Sequence, residues 1–83
     1  MRYFFDLVDP LGFKDDLEGT ELANRDAARL EAQRILTQLA ADEPLLPADA
    51  LTLSVHVRNE QDDPVYELNL SLDSKPMPAH LAG

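Results

Sequence analysis

Leu51-Thr52-Leu53-Ser54-Val55-His56-Val57-Arg58 is the stretch that decides the fold. Leu51, Leu53, Val55 and Val57 recur at every second position, with Thr52, Ser54, His56 and Arg58 between them. A strand turns successive side chains to opposite faces, so this period predicts a half-buried strand with one packed side and one wet side. Val65 to Leu72 repeats the pattern, with Tyr66, Leu68, Leu70 and Leu72 on one side and Glu67, Asn69 and Ser71 on the other. Asn59 to Pro64 joins the two as a hairpin loop. A sheet built this way has one apolar face and needs a covering layer.

The cover is a single helix from Asn24 to Ala41. Asn24 suits the N-cap, and Asp26 in the first turn suits the positive end of the helix dipole. Position N3 is Ala27, so no capping box forms. At 100° per residue, Ala28, Ala32, Ile35, Leu36 and Leu39 share one face. Asp26–Arg29 and Glu31–Arg34 are paired at i,i+3, and Pro44 stops the helix. Leu30 falls on the polar face, as an ordinary exposed leucine or as an oligomer contact. Leu45 to Ala50 is a connection broken by Pro47.

Ahead of the helix, Arg2 to Val8 reads as a strand, because Tyr3, Phe4 and Phe5 favour a pleated, partly buried surface. Tyr3, Phe5 and Leu7 form its packed side. Asp6 marks the side with Phe4 and Val8 as the outer one. Asp9-Pro10-Leu11-Gly12 is a turn. Phe13 to Leu17 is a candidate return strand, although Lys14-Asp15-Asp16 is poor strand material. The predicted fold is α+β and two-layered: one amphipathic helix on an antiparallel three- to four-stranded sheet, in the order β(β)αββ. The expected core is Tyr3, Phe5, Leu7, Ala28, Ala32, Ile35, Leu36, Leu39, Leu53, Val55, Val57, Tyr66, Leu68 and Leu70. Residues 1–72 form one domain, and 73–83, with Pro76 and Pro78, form a flexible C-terminal tail.

Several of these stretches occur together in one known pattern. They are Arg2-Tyr3-Phe4-Phe5, Glu18-Gly19-Thr20-Glu21-Leu22, Ala27-Ala28-Arg29 with Glu31-Ala32 and Arg34, and Val55 with Val57-Arg58-Asn59-Glu60. In order and spacing they resemble a family of small bacterial proteins known as a domain of unknown function, over residues 2 to 72. The family tends to carry Asp-Glu-x-Gly at the last hairpin. Asn59-Glu60-Gln61-Asp62-Asp63-Pro64 has no glycine, which implies a longer loop in place of a tight turn. The resemblance implies one domain and supplies no catalytic or binding residues. A second likeness, of architecture alone, is to small antitoxin domains of the HicB type.

The chain has 83 residues, a net charge of -9 and no cysteine. That length allows one domain and only a marginal core, for which dimerisation is a common remedy. Absent cysteines fit a reducing compartment and exclude disulfides and thiolate zinc sites. Asp6 interrupts the only apolar run near the start, so no signal peptide is expected and the protein reads as cytoplasmic. No apolar stretch approaches the ~20 residues that span a bilayer. The negative charge disfavours nucleic acid and anionic membranes as partners.

Two constellations are candidates for chemistry. His56 and Arg58 lie on the wet side of their strand, opposite some of Glu67, Asn69 and Ser71. They offer an acid/base or phosphodiester site, or else an ordinary polar outer face. Asp15, Asp16, Glu18 and Glu21 cluster around Gly19, without EF-hand spacing. They are either oxygen ligands for calcium or magnesium or a solvated loop. His80 receives no role. The expected function is a small acidic non-enzymatic module for protein interaction or regulation, binding a protein partner or itself as a homodimer. The alternative is a small enzyme or nuclease-like protein working around His56. The expected binding surface is the open sheet face with Phe4, His56, Arg58, Glu67 and Asn69. No metal or cofactor is expected.

Overall fold

The computed structural model describes residues 1–45 and 49–78. Five strands and one helix follow in the order β1 (Arg2–Asp9), β2 (Gly12–Lys14), β3 (Thr20–Glu21), α1 (Arg25–Asp42), β4 (Ala50–Arg58) and β5 (Pro64–Asp73). The fold is two-layered α+β, with the helix on an antiparallel sheet. The sheet order is β2-β1-β4-β5, and β3 pairs with β1 beyond the end of β2. Residues 79–83, including His80 and the end of the expected tail, and 46–48, including Pro47, lie outside the described residues.

The period-2 pattern fixes the register. Phe5 pairs with Val57 and Leu7 with Val55, while Val55 faces Leu68 and Leu53 faces Leu70. The apolar members of three strands therefore share one side. The helix lies over β4 and β5 and presents Ala28, Ala32 and Leu36 to the sheet, all buried. Two alanines let the helix approach closely, and Arg25 reaches Tyr66 on β5, 5.7 Å from the ring centroid. Buried apolar residues of the sheet are Tyr3, Phe5, Leu51, Leu53, Val55 and Val57. Leu51 joins the core although it was not expected there. Leu7, Ile35, Leu39, Tyr66, Leu68 and Leu70 are only partly buried at its margin. A helix about 10 Å wide cannot cover four strands spaced ~4.8 Å apart.

Both helix ends follow local chemistry. Asn24 Oδ1 accepts from the Ala27 N–H at 2.9 Å. Glu43 is forced to extended backbone (φ -94, ψ 115) because Pro44 bars the residue before it from the helical region.

Three local features differ from expectation. Of the candidate strand Phe13–Leu17 only Phe13 and Lys14 pair with β1, preceded there by Gly12, and the chain then leaves the sheet at Asp15. Thr20–Glu21 returns as β3 and pairs with Arg2 and Tyr3. The last hairpin has five residues between its strands, 59–63, yet a tight turn stands within it. Asp62 adopts φ 68, the conformation for which glycine is the usual residue. Asn59 O accepts from the Asp62 N–H at 3.0 Å, and Asn59 Oδ1 accepts from Gln61 and Asp63 N–H. Asn59 thus closes the turn with its own side chain, and aspartate is among the few residues tolerated at positive φ.

Candidate functional site

The face opposite the helix is built from the alternate residues of the same strands. Phe4 pairs with Arg58, Asp6 with His56 and Val8 with Ser54 across β1 and β4. His56 pairs with Glu67, and Ser54 with Asn69, across β4 and β5. All five residues singled out from the sequence therefore stand on one face. They divide into two groups.

One group is a clamp. Arg58 Nε donates to Asp6 Oδ2 at 2.9 Å, Nη2 donates to Asp16 O at 2.9 Å, and Nη1 donates to Asp62 Oδ1 at 3.0 Å. The guanidinium also lies 4.5 Å from the Phe4 ring centroid. Hydrogen bonding to Asp6 raises the pKa of Arg58 further, against the opposing effect of burial. Asp6 is only 6% exposed, although its position on the wet side marked that side as outer. The covering element is the loop after β2, which folds back over this corner. Asp16 N–H donates to Asp6 Oδ1, and Asp16 Oδ2 accepts from the Phe5 N–H. Asp16 Oδ1 accepts from Glu18 and Gly19 N–H. Burial opposes ionisation of Asp16, but the backbone donors at Gly19, Phe5 and Glu18, with Arg58 nearby, outweigh it and lower its pKa.

Gly19 is required where this loop touches the sheet. Its φ is +72, and a Cβ there would stand 2.8 Å from Arg2 Cγ and 2.9 Å from Phe4 Cε1. Arg2 completes the corner. Its N–H donates to Glu60 Oε1, and its Nη1 donates to Glu18 O. Phe4 and Arg58 are thus engaged with the chain's own loop. The sequence signal for this corner was Asp6 itself, a carboxylate inside an apolar strand with an arginine of matching face on the neighbouring strand.

The other group is open. His56 Nε2 lies 3.4 Å from Glu67 Oε1, with side chains 46% and 61% exposed. Asn69 Nδ2 donates to Glu67 Oε2 at 3.2 Å, and Ser54 Oγ donates to Asn69 Oδ1. A depression of ≈ 390 Å³ lies here, lined among others by Asp6, His56, Arg58, Asp62, Tyr66 and Glu67. Among the described residues Arg58 is the only Arg or Lys that lines it, and Asp6 and Asp62 already hold it. An anion entering would meet carboxylates before any free cation.

The acidic loop is organised around backbone groups. Asp16 spends both carboxylate oxygens on N–H donors, as above. Among the described residues no three His, Asp or Glu side chains converge to hold a metal ion.

The β5 strand bounds the sheet on one side. Ser74 N–H donates to Asp49 O at 2.9 Å. In an antiparallel ladder this turns even-numbered β5 residues toward β4 and the odd-numbered ones outward. Val65, Glu67, Asn69, Ser71 and Asp73 accordingly direct their N–H and C=O groups away from the sheet. Arg25 Nη2, 3.5 Å from Val65 O, is consistent with that direction. The opposite edge differs, because β2, β3 and the Asp16 carboxylate occupy the outer side of β1.

A family model, Domain of unknown function (DUF6894), matches residues 2–71. The chain belongs to the DUF6894 family. The match spans β1 to β4, the helix and all but the last two residues of β5 in this DUF6894 domain. Three of the stretches that carried the resemblance, at Arg2–Phe5, Glu18–Leu22 and Val57–Glu60, meet in the clamp of Arg58, Asp6, Phe4 and Gly19. No match to this chain was found among the curated proteins or the solved structures. Among the described residues no helix is long and apolar enough to cross a membrane.

Proposed function

We propose that this DUF6894 domain is a non-enzymatic interaction module whose β5 edge accepts an added strand. The observation that carries the reading is the unequal treatment of the two sheet edges. The β1 edge is closed by two short strands and a carboxylate. The β5 edge runs for ten residues with outward backbone groups, and unpaired edge groups are a template for strand addition. Proteins that keep an edge unpaired commonly block it with lysine, proline or a bulge. Here Pro64, Arg25 Nη2 at Val65 O and a register shift at Val57/Arg58 occupy only its beginning. The net charge of -9 favours a protein partner over nucleic acid or an anionic membrane. The lack of cysteine supports a reducing, cytoplasmic setting, and the resemblance supports a bacterial source.

The alternative, chemistry at His56, has the His56–Glu67 pair in its favour. The commitment of Arg58 to Asp6, Asp16 and Asp62 weighs against it, because a phosphodiester would find no free cation in the depression.

Affinity purification from native cells, wild type beside Asn69→Pro, tests the proposal. Asn69 turns its N–H outward, so proline there blocks strand addition without removing a backbone bond to β4, at the expense only of the exposed side-chain bonds with Ser54 Oγ and Glu67 Oε2. A chain retained by the wild type and lost by a folded Asn69→Pro protein supports the reading. Identical recovery by both overturns it.

A further inference from the structure

We infer that the strand added at β5 is β5 of a second copy, antiparallel about a two-fold axis through Asn69. The inference rests on the proposed edge pairing and names its occupant.

The reason is the symmetry of the strand. Around Asn69, Leu68 matches Leu70, Glu67 matches Ser71 and Tyr66 matches Leu72. Antiparallel pairing about this residue sets Asn69 against Asn69 of the second copy. Glu67 then faces Ser71, and Val65 faces Asp73. The outward residues are the odd-numbered ones, and this register joins odd to odd, so their N–H and C=O groups meet. On the helix side, Tyr66 meets Leu72 and Leu68 meets Leu70. Leu72, 37% exposed in the single chain, gains an aromatic neighbour.

Other registers do worse. Centring on Glu67 sets two glutamates face to face, and centring on Leu70 sets Glu67 against Asp73; like charges directly opposite are destabilising. Centring on Leu68 leaves Asp73 and its outward groups unpaired. The chosen register also sets charges well at each end. Arg25, at Val65 O, meets Asp73 of the second copy. The two-fold axis stands normal to the sheet, so both helices lie on one face and both His56–Glu67 pairs on the other. The product is one continuous sheet whose remaining edges are the ones already closed by β2 and β3.

Sedimentation equilibrium and symmetric cross-linking test this on the full chain. The wild type should dimerise, more tightly as salt screens the repulsion between two chains of net charge -9. Asn69→Pro should be monomeric. Asn69→Glu, at an exposed position and checked for folding by circular dichroism, should be monomeric too, because it sets two carboxylates on the axis. Under oxidation Asn69→Cys should form a covalent dimer, since directly opposed residues lie ~5.5 Å apart, within disulfide range. Glu67→Cys and Ser71→Cys should cross-link when mixed and not separately. A wild type that stays monomeric to millimolar concentration, a dimer that survives both Asn69 variants, or cross-linking of Glu67→Cys with Asn69→Cys in place of this pattern overturns the inference. Loss on Asn69→Pro of a different captured chain would leave the interaction module standing while this occupant fell.

Discussion

Arg58 on β4 bonds Asp6 on β1 diagonally, Nε to Oδ2 at 2.9 Å, one step off the direct partner Phe4. The diagonal places the guanidinium over the Phe4 ring and under the loop that carries Asp16. One side chain thus ties together two strands, the loop after β2 and the β4–β5 turn. Lysine cannot reproduce it, since an ammonium lacks the planar fork. Arg58→Lys should cost about 1–2 kcal/mol. Arg58→Ala, which leaves the buried Asp6 carboxylate unpaired, should cost about 2–4 kcal/mol, toward the lower end of buried-pair losses because Arg58 is partly exposed. Urea denaturation measures both, and equal small losses would deny the clamp.

The Asp16 carboxyl is held below its ordinary value in the folded chain. A depressed carboxylate contributes stability that is fully present above its unfolded pKa, about 3.9, and is lost as pH falls through the folded value. Asp16→Asn should flatten the acid limb of stability below about pH 5, besides lowering stability at neutral pH. Chemical denaturation from pH 7 down to pH 2.5 reads the slope. Parallel limbs in the two proteins would show that Asp16 ionisation is not coupled to folding.

Gly19→Ala should destabilise by about 1–3 kcal/mol, because it combines positive φ with a Cβ driven into the Phe4 ring. Pairing it with Phe4→Leu separates the two causes. The smaller side chain should recover part of the loss if the clash with Phe4 matters, and none if the loss comes from the backbone or from Arg2 Cγ.

Asp62 carries positive φ without being glycine. Asp62→Gly relieves the backbone and gives up an exposed ion pair to Arg58, and such pairs are worth about 0–1 kcal/mol. In high salt, where the pair is screened, the substitution should stabilise by roughly 0.5–1 kcal/mol. At low salt the gain should shrink. Thermal melts at two ionic strengths test this, and a salt-independent loss would contradict it.

The helix cap is the simplest local test. Asn24→Ala removes the acceptor for the Ala27 N–H and should cost about 1 kcal/mol by denaturant titration, with Asn24→Asp close to neutral.

By itself the sequence determined the elements and their inner sides. Alternation in 51–58 and 65–72 set which residues of β4 and β5 meet the helix. The Ala28–Leu39 stripe set how the helix meets them, and Asn24 and Pro44 set where it starts and stops. These are matters of period and of local bonding, which neighbours along the chain carry. The tertiary structure decided the rest. It turned Asp6 from a marker of the wet side into a buried partner of Arg58, because a loop ten residues away folded over it. It set a tight turn within the last hairpin through Asn59 and the positive φ of Asp62, although no glycine stands there. It also closed the β1 edge and, among the described residues, left the β5 edge without a pairing strand. Strand order is set by which long-range pairings cover the most apolar surface, and no residue's pattern along the chain records which strand stands last.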